Sequence, residues 1–181
     1  MIKKLIFLLF FLHGISSFSH PHIFFESFFL LNVKDDVLTT LDITLYLDEL
    51  NTITFANNLP KDSPLSKKDI SFFEDVTKDV HVSLDAKEIK KNIKFKSAKI
   101  EDDNLKIQLS MIINKKIEEI SNIIFSIYDS EYFYTYEYSK ENFSLNLIDS
   151  NYSAKISLKE NLQKPFYYGM VYPNEYEVTF H

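Results

Sequence analysis

Leu41-Asp42-Ile43-Thr44-Leu45-Tyr46-Leu47 alternates a large apolar residue with a polar or amphipathic one along its whole length. A period of two puts Leu41, Ile43, Leu45 and Leu47 on one face and Asp42, Thr44 and Tyr46 on the other, the pattern of a half-buried β-strand. The segment before it, Ile23 to Val33, is apolar on both faces apart from Glu26 and Ser27, and Lys34-Asp35-Asp36 separates the two. Together they read as a hairpin whose first strand is buried. The same alternation recurs at Leu105, Ile107, Leu109, Met111 and Ile113, and at Phe143, Leu145 and Leu147. Val80 to Leu84 and Ile89 to Phe95 flank a turn-like Asp85-Ala86-Lys87, Asn122 to Tyr138 is rich in Ile, Phe and Tyr, and Tyr176 to Phe180 makes a last strand. The expected class is α+β and β-rich: mostly antiparallel sheet in a sandwich-like arrangement, with one or two helices between the second and third strands.

One of those helices is expected at about Ser66 to Thr77, with Ser66 as its cap, Asp69 in the first turn, and Ile70, Phe73 and Val76 on one face. Asn51 to Asn58 is the weaker helix, because Thr and Asn side chains compete for the helical backbone hydrogen bonds. Pro60 and Pro64 mark the link between them, and Pro165, Gly169 and Pro173 punctuate a Tyr-rich segment near the end. There are no repeats and no low-complexity linker.

The chain opens with Lys3 and Lys4, the apolar run Leu5 to Leu12, and the small-residue stretch Ser16-Ser17-Phe18-Ser19. That order is expected of a secretory leader. An apolar run of this length is too short to cross a hydrocarbon core, which takes roughly 20 helical residues. Ser17 and Ser19 stand at the third-last and last positions favoured for cleavage, so residues 1–19 are expected to be removed and the mature chain to begin with the free amine of His20. Residues 20–181 are then expected to form one β-rich periplasmic domain, with two small lobes as the variant.

Composition excludes several classes. The 181 residues contain no Cys, so disulfides, thiolate metal sites and a lipidated cysteine are ruled out. Loss of Lys3 and Lys4 takes the basic residues from 20 to 18 against 26 acidic ones, a balance that argues against nucleic acid as a partner. An acidic surface of this kind serves solubility more often than cation attraction. No later stretch is apolar enough to span a membrane. The absence of Arg and the abundance of Phe, Tyr, Ile, Lys and Asn reflect coding bias and carry no function. There is no Gly-rich phosphate loop and no Gly-x-Ser-x-Gly elbow.

What remains is the chemistry of the mature terminus. His20-Pro21-His22 offers an α-amine and two imidazoles, which suits zinc, nickel or copper. Pro21 removes one of the amides a square-planar site would deprotonate, which leaves chelation by the His20 amine and ring with His22 as a further ligand. Further ligands must come from elsewhere: His81, His181, Glu26, Asp48, Glu49 and Asp129 are the available donors. Each has a bland counterpart. Glu26 could face solvent or pair with a lysine, His81 could bond a backbone carbonyl at a helix-to-strand junction, and His181 could simply fray. Asp48 fits a helix cap as well as a ligand. Asp129 lies in an apolar and aromatic stretch, where a buried carboxylate needs a partner or a turn to hold it. The aromatic run Tyr132 to Tyr138 reads as sheet packing.

His20-Pro21-His22-Ile23-Phe24 directly after a leader, a second strand closing in Leu47-Asp48-Glu49, and Tyr128-Asp129-Ser130-Glu131-Tyr132-Phe133 together resemble the DUF1007 family of bacterial periplasmic proteins. The resemblance covers nearly the whole mature chain, which departs from the family in being Arg-free and in its His-tipped carboxyl end. It implies a periplasmic component associated with nickel/cobalt-type exporters or permeases and with zinc acquisition, with His20, His22, Asp48 and Asp129 as the site and Tyr132 beside it. The expectation is a non-enzymatic accessory protein that binds a transition metal, zinc or nickel first and copper third, and serves an inner-membrane transporter. Two alternatives stand: a copper enzyme that uses a histidine brace, and a metal-free β-rich adaptor.

Overall fold

The computed structural model describes residues 23–56, 63–70 and 72–181. The leader and the His20-Pro21-His22 tripeptide lie outside the described residues.

The opening hairpin forms as expected: β1 (Ile23–Lys34) pairs antiparallel with β2 (Val37–Leu47), from Phe25 opposite Leu47 to Lys34 opposite Val37. Asp35 and Asp36 close it with φ of 52° and 58°, the two-residue left-handed turn whose twist matches that of the strands. On β2 the alternation holds from Leu41 to Leu47, with Leu41, Ile43, Leu45 and Leu47 fully buried. On β1 the expectation of burial on both faces is overturned. Phe25, Phe29, Leu31 and Val33 face the core, but Phe24 is 43 % exposed and Leu30 36 %. The cause is that the second sheet covers only one side of this one. Phe28 and Tyr46 shelter each other on the outer side, edge to face at 5.7 Å.

Two helices follow β2, in the places expected, but the second is shorter than its periodicity implies. The first is α1 (Glu49–Ala56); the second, α2 (Phe73–Asp79), is preceded by a single 3₁₀ turn at Lys67–Asp69. Ser66 does close the 3₁₀ turn, with Asp69 Oδ2 accepting from its amide at 2.7 Å and its hydroxyl at 2.6 Å. Ile70 then leaves helical geometry, at φ −109° and ψ 89°. Ile70, Phe72, Phe73 and Val76 are all buried.

The remaining strands are β3 (Val80–Leu84), β4 (Lys87–Glu88), β5 (Ile93–Glu101), β6 (Asn104–Lys116), β7 (Asn122–Ile127), β8 (Tyr134–Glu137), β9 (Phe143–Ile148), β10 (Ala154–Glu160) and β11 (Asn174–Phe180). One sheet runs β5-β6-β2-β1, with β8 and β9 lying end to end along the far side of β1; the other runs β10-β11-β7-β3-β4 and is antiparallel throughout. The fold is thus α+β, β-rich and sandwich-like, as its patterning implies. Three details differ from expectation. The arm after Asp85-Ala86 pairs for only two residues, and Phe95 belongs to β5 in the opposite sheet. Asn122 to Tyr138 is two strands, and β8 and β9 both pair with β1 in parallel, so the first sheet is mixed.

A single core fills the space between the sheets. Phe29 carries it across the gap, with ring centroids 5.4 Å from Phe125 and 5.5 Å from Tyr176. Each large side chain buried here contributes about 1.5–3 kcal/mol. Ser27 is the exception on the inner face of β1: its hydroxyl is buried with no partner among the described residues.

Turn chemistry makes one prediction. Ala86 sits at φ 63° on an exposed turn, where a Cβ is unfavourable by about 1–2 kcal/mol. Ala86→Gly is expected to raise stability by about 0.5–1 kcal/mol after the added unfolded-state entropy is subtracted, read as a higher melting temperature; a lower one would show that the turn does not hold this geometry.

Candidate functional site

Where α2 enters β3 and β7 ends, a cleft of about 670 Å³ opens at one end of the sandwich. Ile23, the first described residue, forms part of its wall, and its amide donates to the Phe133 carbonyl at 3.1 Å. Asp75, Lys78 and Asp79 come from α2, His81 from β3, and Asp129, Ser130 and Glu131 from the loop after β7. The Tyr128 amide donates to the Asp79 carbonyl at 3.0 Å, which ties the end of β7 to the helix–strand junction.

Asp129 organises the loop. Its Oδ1 accepts from the Glu131 amide at 2.9 Å, and its Oδ2 from the amides of Phe133 and Tyr134 at 2.7 and 3.1 Å. A carboxylate buried to 8 % exposure is thereby satisfied by backbone alone. Tyr132, at φ 62°, completes the turn.

Asp79 is equally buried, and its Oδ2 accepts from the Tyr136 hydroxyl at 2.6 Å. Burial pushes its carboxyl up to about 7; the Tyr136 hydrogen bond opposes this and the negative charge of Asp129 adds to it. Burial, with the neighbouring Asp79 charge, in turn holds the Tyr136 hydroxyl well above its ordinary value. His81 stacks on Tyr128 with centroids 4.2 Å apart, and its Nδ1 lies 3.8 Å from Glu88 Oε1. Burial first, and then the Lys91 charge, hold the imidazole below its usual range, so it is neutral at pH 7, the form that accepts a proton or ligates a cation.

The structure therefore brings Asp129 and His81 to one cleft beside Ile23, and leaves the other four donors, Asp48, Glu49 at the exposed start of α1, Glu26 and His181, outside it. Asp48 caps α1: Oδ1 accepts from the Asn51 amide at 3.0 Å and Oδ2 from its side-chain amide at 2.6 Å. Glu26 lies exposed on the outer face of β1. His181 exchanges backbone bonds with Ser153, and Thr179 pairs with Asn122, which puts the carboxyl end at the opposite end of β7 from Asp129. His20 and His22 lie outside the described residues. Asp79 is the group sequence reasoning missed: an acid at the end of a helix reads as a solvated charge, and only its position before the β3 run hinted otherwise.

Among the described residues no three His, Asp or Glu side chains stand close enough to hold a metal ion. The cleft alone does not form such a site from the described residues.

Taken together, fold and cleft define a β-rich sandwich with an acid- and histidine-lined cleft where the polypeptide enters its first strand. The chain belongs to the DUF1007 family, described as a protein of unknown function, which it matches over residues 5–165. The match takes in the His-Pro-His tripeptide and Asp129 and stops before β11, although Tyr176 and Val178 of that strand are fully buried. No curated protein matches the chain. No helix among the described residues is long and apolar enough to cross a membrane.

Proposed function

We propose that the protein is a periplasmic accessory of a transition-metal transport system, taking up zinc or a nickel/cobalt-type ion as cargo through its processed amino terminus. The observation that carries this reading is the position of Ile23. It walls the cleft that holds Asp79, His81 and Asp129, and the residue bonded to it is His22, with His20 two further back. Consecutive Cα atoms are about 3.8 Å apart, so the nitrogen donors of the terminus begin within one residue of the cleft. A neutral imidazole at His81 and a carboxyl at Asp79 supply what a terminal amine and two histidines lack for a closed site. An inner-membrane permease is the partner such a carrier would meet.

One observation favours the metal-free adaptor instead: Asp48 and Asp129 both already serve the backbone, as cap and as loop organiser. Native mass spectrometry of the mature protein with zinc, nickel and copper separates the two readings. One bound ion is expected, lost in His20→Ala/His22→Ala and weakened about tenfold or more in His81→Ala, as removal of one ligand or its supporting group does. No metal on the unmodified protein would leave the adaptor standing. The copper form, incubated with ascorbate and candidate substrates, tests the oxidase alternative, and absence of turnover excludes it.

A further inference from the structure

A sheet that ends in an open strand exposes unpaired amides and carbonyls, and proteins guard such edges with lysines, shortness or cover. This sandwich guards all but one of its outermost strands. β5 carries Lys94, Lys96 and Lys99, and Ala98 on it is bridged by Leu65. β10 carries Lys155 and Lys159; β4 is two residues long and β8 four, ending on Glu137. β9, Phe143-Ser144-Leu145-Asn146-Leu147-Ile148, has no charge at all. It pairs with β1 on one side, and no strand among the described residues pairs with the other. The Ile148 carbonyl accepts from the Asp35 amide at the end of β1, so by alternation Leu145 and Leu147 direct their backbone groups away from the sheet. Leu147 is 38 % exposed and Ile148 43 %.

We propose that this edge pairs antiparallel with the same edge of a second copy of the chain, about a two-fold axis at Leu145. The sequence is self-complementary in that register. Leu145 meets Leu145, Phe143 meets Leu147 and Ser144 meets Asn146, so apolar side chains oppose apolar ones on the inner face and polar oppose polar on the outer. The six-stranded sheet becomes continuous across the axis, and Leu147 is covered. The register also brings Glu141 near Asp149 of the second copy, two acids just beyond the ladder, so association tightens as salt screens them. This inference does not depend on metal binding.

The test measures mass by sedimentation or light scattering on the mature protein from micromolar to millimolar concentration, with a single-cysteine crosslink as the second readout. A dimer is expected, and Leu147→Glu, which sets an acid diagonal to Glu141 of the second copy at both ends of the seam, is expected to raise the dissociation constant roughly tenfold or more with the monomer's melting curve unchanged. In a chain without cysteine, Leu145→Cys is expected to crosslink to itself on oxidation, since directly opposed residues lie about 5.5 Å apart; Lys99→Cys, on β5 at the opposite edge of the sheet, is not. A monomer at every concentration overturns the proposal. So does a dimer indifferent to Leu147→Glu, or a Leu145→Cys variant that crosslinks no faster than Lys99→Cys.

Discussion

Phe29→Ala is expected to lower the free energy of unfolding by about 3–5 kcal/mol, whereas Phe24→Ala, five residues earlier on the same strand, changes it by less than about 1 kcal/mol. Phe29 is 3 % exposed and touches Phe125 and Tyr176 of the second sheet as well as Tyr138, 5.2 Å away. Its loss leaves a void between two sheets held apart by other aromatic rings, which cannot collapse to fill it. Phe24, 43 % exposed, faces away from that gap. In urea the loss corresponds to a midpoint shift of about 2 M for a slope of about 2 kcal/mol/M. Equal losses in the two variants would mean that something covers the outer face of the first sheet, as the apolar sequence of β1 implies when read alone.

That contrast shows what a sequence of this kind discloses. β2 and β6 were legible because their alternation is written in large residues, Leu41 to Leu47 and Leu105 to Met111, and burial follows it except at Ser110, which is buried on the polar face with its hydroxyl on Asp42. β1 was legible as a strand but not in its facing, since Phe24, Phe28 and Leu30 are as apolar as the residues that reach the core. β10 escaped notice because its apolar residues are few and partly exposed, Ile156 at 41 %, between lysines. The parallel pairing of β8 and β9 with β1 joins segments more than 100 residues apart, and no local pattern encodes it. The helix over Ser66 to Thr77 had sound periodicity, yet the chain leaves helical geometry at Ile70, which the spacing of its apolar residues does not disclose.

The site divides along the same line. Asp129 stood out because a carboxylate among aromatic residues needs a partner, and the structure supplies three amides. Asp48 was balanced between cap and ligand, and its bonds to Asn51 are those of a cap. Asp79 could not be distinguished from Asp75, one turn earlier on the same helix. What separates them is the Tyr136 hydroxyl, 57 residues away in sequence, and the burial that accompanies it.

Asp79 also governs the second large effect. In the metal-free protein its carboxyl holds a proton up to about pH 7, against an ordinary value of 3.8 in the unfolded chain. The folded state therefore binds more protons between those limits. Its contribution to stability is full below pH 4 and is lost as pH rises through 7, at up to about 1.4 kcal/mol per pH unit. Across the window the loss comes to about 2–4 kcal/mol. Asp36, Asp69 and Glu101, whose hydrogen bonds lower their values, act in the opposite sense, so the wild-type curve alone does not isolate the effect. The difference between wild type and Asp79→Asn does. The amide keeps an acceptor for Tyr136 and carries no charge, so the variant is expected to match wild type at pH 4 and to exceed it by about 2–4 kcal/mol at pH 8, measured by urea unfolding in the presence of a chelator. A variant that is no more stable than wild type at pH 8 would mean that the charged carboxylate is solvated or paired in the folded state, and that the cleft is a wetter place than its walls suggest.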